Sequence, residues 1–302
     1  MKKTNLYVAH GGIGKCVLFS SLIDIFSKRD NNKISIACGF PEVFKFHPKI
    51  NSAPQWTGGD LRHDIAEYFD DIIFREPYVS QYAKRDRHIV KEWARLFGFD
   101  LDVEGMDMQP DLFINPQWSG EAKNIYDKFI QEKFIMLQFT GGQPADNHYV
   151  QGKGYTQNAM TQGRNLQNYY DMMLALGEEF KNYKFFLYAL PNEPEQVPAE
   201  LQKRVLTAQT NAMVFAALVN KAETFFSIDS SLHHFAAARQ YRKKGVVVWG
   251  TTTTPTMIGH SLHTNMQSLS PTEIKVEPKD VIDNLRKILQ GKNQNKNTKE
   301  KK

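Results

Sequence analysis

The chain has 302 residues, more than the roughly 100–200 of a usual single domain, so two domains are expected. With 41% hydrophobic and 24% charged residues it reads as a soluble globular protein, and no run of about 18 apolar residues offers a membrane span. The formal net charge is +5, but Lys292, Lys296, Lys299, Lys301 and Lys302 stand against Glu300 alone in the terminal stretch, which leaves about +1 for the body and no strongly basic groove by composition.

Two cysteines, Cys16 and Cys38, fall in expected core elements with no metal-ligand company, which suits a reduced, cytoplasmic protein without a disulfide framework. Lys2-Lys3 precede only a short apolar stretch that soon meets His10 and glycines, so no secretory signal is expected. Asn5–Val8 reads as a strand, followed by the loop His10-Gly11-Gly12-Ile13-Gly14-Lys15 and a helix with Val17, Leu18, Leu22, Ile25 and Phe26 on one face. A strand, a glycine loop and a helix open a doubly wound domain. A P-loop needs glycine at position 9 and Ser or Thr at position 16, where the chain has Ala9 and Cys16, so a P-loop NTPase is set aside.

His10 ends the first strand and has an ordinary pKa suited to a general base; Asp60 and Asp64, behind Gly58-Gly59, are the other candidates. The ordinary alternatives are that His10 braces the loop and Asp60 caps a helix over Leu61–Phe69. Strands at Lys33–Cys38 and Asp71–Phe74 and a helix over Ser80–Phe97 follow. The cluster Lys84-Arg85-Asp86-Arg87-His88 either meets an anionic acceptor or, like most charge runs on helices, is a solvated face. Asp111–Asn115 reads as a strand ended by Pro116, and Glu121–Glu132 as a crossing helix, so the domain boundary is placed near residues 116–132.

The second half opens with an apolar strand, Phe134–Phe139, running into Thr140-Gly141-Gly142, where small residues let main-chain N–H groups approach a phosphate. Residues 143–163 form a long polar stretch with Lys153 and, just beyond it, Arg164 as candidate phosphate ligands, a surface cation being the ordinary alternative. A helix over Leu166–Phe180 precedes the strand Lys184–Leu190, which ends in Pro191-Asn192-Glu193. An amphipathic helix, Ala212–Lys221, then leads to a buried strand, Thr224–Ile228, the polar loop Asp229-Ser230-Ser231, a helix from about Leu232 to Arg239, and a strand, Gly245–Trp249, ending in Gly250 and four threonines. Continuous apolar strands belong inside a parallel sheet, which binds ligands at the carboxyl ends of its strands. The helix start after Asp229 favours an anion, so a phosphorylated ligand is the first expectation; a plain N-cap is the ordinary reading of the same residues. Pro278–Leu289 is a final amphipathic helix, and residues 291–302 are too polar to build a core and are expected to be disordered. No group of His, Cys or carboxylate residues has metal-ligand spacing, so no metal is expected.

The ordered set Asp229, Leu232, His234, Ala236–Ala238, a strand, Trp249-Gly250, threonine, Pro255 and Ile258-Gly259 resembles the D-[ST]-G-L-x-H-L-x-A-A…[YF]-G-P-T-x-P…I-G signature of the ADP-heptose:lipopolysaccharide heptosyltransferases and their relatives. The resemblance covers nearly the whole chain in order, strongest over Phe225–Gly259 and weakest before residue 120. It implies an α/β fold of two doubly wound, Rossmann-like domains facing across a cleft, the GT-B arrangement. Residues 1–120 would be the acceptor side, 121–277 the nucleotide-sugar side, and 278–290 a helix packing back across the cleft.

The activity it implies is that of a glycosyltransferase: inverting, metal-independent transfer of a sugar from an ADP- or UDP-sugar to a hydroxyl, with no cofactor. The donor would be held by Thr140, Gly141, Gly142, Lys153, Arg164, Glu193, Ser230, Ser231, His234, Gly250, Thr251 and Thr252. Glu193, or Glu195 in its place, would hold the ribose hydroxyls; Asp229 would orient sugar hydroxyls; His234 would touch a phosphate or only pack. The family's first glycine loop carries an aspartate as base where this chain has Lys15, a cation at neutral pH unless strongly desolvated. The catalytic candidates are therefore His10, Lys15 and Asp229. The acceptor would be an envelope saccharide or a hydroxylated base in DNA, and a catalytically degenerate nucleotide-sugar-binding protein is the alternative that Lys15 suggests.

Overall fold

The structure is a computed structural model that describes residues 5–30, 34–56, 68–77, 87–99, 107–141, 165–188, 197–207, 210–250, 253–270 and 273–299. Its first half contains β1 (Leu6–Ala9), α1 (Ile13–Phe19), α2 (Ile23–Arg29), β2 (Ile34–Cys38), β3 (Ile50–Ser52), β4 (Ile72–Phe74) and α3 (Ile89–Leu96). The strands form one parallel sheet in the order β3-β2-β1-β4, with Leu6 opposite both Ser35 and Ile72. The second half contains α4 (Pro116–Ile125), β5 (Phe134–Gln138), α5 (Tyr169–Glu179), β6 (Lys184–Leu187), β7 (Val205–Thr207), α6 (Ala212–Lys221) and β8 (Thr224–Ile228). It continues with α7 (Ser231–Ala237), β9 (Val246–Trp249), α8 (Pro255–Ile258), β10 (Thr264–Gln267) and α9 (Pro278–Lys299). Its sheet is parallel too, in the order β10-β9-β8-β5-β6-β7.

The apolar runs are buried on both faces, as parallel strands require. Phe134, Met136, Phe225, Val247 and Trp249 face the core shared with α6 and α7, while Ile135, Leu137, Phe226, Val246 and Val248 face the core built with α5 and α9. The first of these cores runs on into the other domain, through Cys16, Phe19, Phe26, Trp93 and Phe97. The two halves therefore join through an apolar seam in which α1 packs on α7.

Three differences from the sequence reading have local causes. Asp111–Asn115 is not a strand: Asn115 Oδ1 accepts the Trp118 N–H at 2.8 Å and Pro116 takes the first helical position, so the segment ends as a helix cap. The crossing helix consequently starts at Pro116 rather than Glu121 and passes into a π-turn over Tyr126–Ile130. The last helix runs to Lys299 instead of stopping near Leu289, since Asn, Gln and Lys, though unable to build a core, carry only modest helix penalties. Strands β3, β7 and β10 are three or four residues long and only partly buried, too short to print a periodicity.

Candidate active site

In each sheet the strand order reverses beside the first strand of the half: β1 lies between β2 and β4, and β5 lies between β8 and β6. Ligands of doubly wound sheets bind in the crevice at the carboxyl ends of the strands at such a reversal. Of the candidate residues, the described ones His10, Lys15, Thr140, Gly141, Asp229, Ser230, Ser231 and Gly250 follow strands at these two places.

In the first half, β1 delivers His10 and the glycine loop, and β4 is followed by Glu76, a residue the sequence reading did not select. Glu76 gathers the loop: both its carboxylate oxygens lie 3.0 Å from Lys15 Nζ, and Oε2 lies 4.0 Å from His10 Nδ1. The lysine side chain is 11% exposed, the glutamate 20% and His10 47%. Burial pushes the Lys15 ammonium below its ordinary value and the neighbouring carboxylate pulls it back up. The His10 ring, more open, stands beside Trp56 and Phe74. Gly11 is needed here for two reasons: its φ of +124° disfavours any side chain, and a Cβ would stand 2.7 Å from the Lys15 stem.

In the second half, the loop after β8 is not a simple helix cap. Ser230 makes no cap to its helix; its hydroxyl donates to Gln138 Oε1 at 2.8 Å, and the Leu232 N–H donates to the same oxygen at 3.0 Å. Gln138 ends β5, so one side-chain amide ties the ends of the two central strands together. Asp229 is 3% exposed. Its Oδ1 accepts His233 Nε2 at 3.3 Å and its Oδ2 accepts the Thr253 hydroxyl, which links the loop after β8 to the loop after β9. Thr253 was also missed, since a run of four threonines gives no signal as to which one turns inward.

The two crevices face each other. A Cβ on Gly14, in the first turn of α1, would stand 3.0 Å from His234 Cδ2 and 3.6 Å from Nε2 and from the Ser231 Cα, so the start of α1 rests directly on the start of α7. His234, buried, turns Nδ1 the other way, 3.1 Å from His260 Nε2. Burial, with the neighbouring imidazoles, drives His234 and His260 well below the ordinary histidine range, His88 to about 4 and His263 to about 3. These four rings and His233 form a buried cluster behind the cleft, in which one ring nitrogen from each of His233, His234 and His260 lies within 4.8 Å of the others. Sequence spacing gave no sign of it, because His260 follows His234 by 26 residues and is turned back by α8.

The remaining donor-side candidates divide. Thr140 follows β5 and pairs with Asn165 in an isolated bridge, Gly141 is buried beside it, and the Gly250 carbonyl accepts Gln267 Nε2 at 3.1 Å. Gly142, Lys153, Arg164, Glu193, Thr251 and Thr252 lie outside the described residues, as do Asp60, Asp64 and Glu195. Among the described residues no helix is long and apolar enough to cross a membrane.

No family model matches the chain, and no curated protein sequence matches it. Solved structures do. ADP-heptose LPS heptosyltransferase II of E. coli superposes with a TM-score of 0.70 at 13% identity, over 96% of this chain and 99% of that one. A glycosyl transferase of family 9 from Veillonella parvula gives 0.69 at 14% identity over 96% and 98%. An E. coli heptosyltransferase with ADP bound gives 0.60 at 14% identity over 94% and 99%. The chain shares with these proteins the fold of two facing parallel-sheet domains, the GT-B arrangement.

Proposed function

We propose that the chain is a glycosyltransferase that moves a sugar from a nucleotide diphosphate sugar to an acceptor hydroxyl with inversion. The observation that carries this reading is the meeting of the two strand-reversal ends: the start of α1, directly after the glycine loop, rests on Ser231 and His234 after β8. A donor bound along the second domain would present its anomeric carbon to the first.

In the reaction the bond from the anomeric carbon to the departing phosphate oxygen breaks, and a bond to the acceptor oxygen forms from the opposite face. His10 takes the acceptor proton, and the negative charge left on the diphosphate is met by fixed donors. Main-chain N–H groups at Thr140–Gly142, Lys153 and Arg164, Ser231, and Thr251 or Thr252 supply these, so no divalent ion has to bridge the phosphates. Glu193 holds the ribose hydroxyls. His234 Nε2 borders the cleft beside Gly14. Asp229, being buried against His233 and Thr253, acts by holding two donor loops at the right separation.

Glu76 answers the difficulty posed by Lys15. It neutralises the lysine and stands beside His10, where a carboxylate steadies the imidazolium that forms when the ring accepts a proton. The near-neutral body favours a saccharide acceptor over duplex DNA. Incubation with ADP- and UDP-sugars, with lipopolysaccharide core oligosaccharide or with duplex DNA carrying hydroxylated bases, tests both points. Nucleoside diphosphate release that depends on the oligosaccharide is expected. Release only with DNA would replace the acceptor, and tight nucleotide-sugar binding without release under any condition would replace the enzyme by a binding protein.

A further inference from the structure

Behind the cleft, the histidine cluster has an accounting problem that packing alone leaves open. A neutral imidazole has one N–H and one lone pair, and buried polar atoms are almost always paired. His88 is balanced: Nε2 donates to the Gly259 carbonyl at 3.1 Å, and Nδ1 accepts the Val90 N–H at 3.3 Å. His233 is not. Its Nε2 donates to Asp229 Oδ1, which leaves the Nδ1 lone pair buried with no partner among the described residues. His263 donates from Nε2 to the His233 carbonyl at 2.9 Å, and its Nδ1 is left the same way. His234 Nδ1 and His260 Nε2 point at each other. The interior thus holds several imidazole lone pairs and too few donors for them.

We infer that His233, His234 and His260 bind a divalent first-row metal ion, zinc first among them. The chemistry of the donor set fits: borderline-soft ions such as zinc, iron and nickel take neutral imidazole nitrogens. So does the spacing. Zinc–nitrogen bonds of about 2.0–2.1 Å in a tetrahedron put ligand nitrogens about 3.3 Å apart. His234 Nδ1 and His260 Nε2 are 3.1 Å apart already, and the third nitrogen is within 4.8 Å of both. The surroundings fit as well. A metal-bound histidine usually gives its other ring N–H to a carboxylate, and Asp229 accepts that hydrogen from His233. The ion would fasten α7 to the Gly259–His263 turn and hold the loop carrying Asp229 and Thr253. It lies on the far side of His234 from Gly14, so it is not an ion that bridges a bound diphosphate, and the inference does not depend on what the cleft binds.

The test uses the full chain and reads metal, not turnover. Metal content is measured on purified protein; the protein is then stripped with a strong chelator, and cobalt(II) is titrated in. Expected are one equivalent of bound zinc or iron, a visible cobalt spectrum of imidazole character that saturates at one equivalent, loss of that spectrum on adding zinc, and no competition from magnesium. His233→Gln and His260→Gln should each weaken cobalt binding at least tenfold, whereas His88→Gln should not. Because the wild-type titration needs no variant, a variant that fails to fold leaves the test intact. Folded, stripped wild-type protein that gives neither a cobalt spectrum nor a zinc-dependent rise in melting temperature would overturn the inference, with waters filling the lone pairs instead. Cobalt binding unaltered in a folded His260→Gln protein would overturn it too.

Discussion

The reading of His10 and Glu76 as the group that activates the acceptor can be tested by removing each in turn. A positioned base contributes about 10²–10⁴-fold, or about 3–5 kcal/mol of barrier, so His10→Ala should lower kcat by that factor and leave donor affinity nearly unchanged. Glu76→Gln keeps the shape and removes the charge. Two unit charges 4.0 Å apart interact by about 4 kcal/mol at an effective dielectric of 20. His10 is half open to water, which reduces the effect to about 1 kcal/mol, so a loss of about fivefold is expected. The same substitution removes the Glu76 charge from beside the Lys15 ammonium, 11% exposed, at a cost of about 1–3 kcal/mol in stability. Turnover is read from nucleoside diphosphate release across pH 5–9, and stability from urea unfolding of the same samples. The ascending limb of the pH–rate profile should vanish in His10→Ala. Full activity in His10→Ala would refute the assignment. A Glu76→Gln protein as impaired as His10→Ala, with the wild-type limb lying at carboxylate pH and absent from Glu76→Gln, would identify Glu76 itself as the base.

Asp229→Ala should abolish transfer and also destabilise the fold by about 2–5 kcal/mol, because the His233 N–H and the Thr253 hydroxyl both lose a buried acceptor; urea midpoints decide. The 3% exposure of Asp229 is the reason the substitution falls on the fold as well as on transfer. Arg239, just past α7, reaches Asp24 at 2.7 Å, Asp107 at 3.0 Å and Asp111 at 3.5 Å in the first domain, so Arg239→Met should lower stability at pH 7 by about 1–3 kcal/mol. Burial raises Asp24 and Asp111, but hydrogen bonds from Lys49 and Arg239 to Asp24, and from His47 to Asp111, with the Arg239 charge beside it, hold both below the ordinary value. Their stabilisation is therefore complete above about pH 4 and lost as pH falls through the depressed values, and the gap between wild type and Arg239→Met should narrow toward pH 3 in the same urea series. Added magnesium or manganese should leave the transfer rate unchanged; a rate that requires either ion would contradict charge neutralisation by main-chain and cationic donors.

What the sequence exposes and what it hides follow from how each contact is encoded. The parallel sheets were legible because β5 and β9 carry continuous apolar runs of four residues, the pattern of strands buried on both faces. The loop after β8 was legible as a candidate ligand site because its residues are consecutive and end a buried strand. Contacts between distant segments leave no such trace. Glu76 sits 61 residues beyond Lys15 in a stretch with no motif, and becomes visible only when β4 pairs with β1 and brings its end beside the glycine loop. Gln138 looks like the polar end of a strand until the sheet places it under Ser230 and Leu232. His260 belongs to a turn whose local sequence is unremarkable, and its ring meets His234 because β9 returns the chain beside β8 and the short helix α8 aims it inward. Each of these residues does its work on a partner whose place is fixed by strand order, so the topology of the sheets had to be known before the site could be completed.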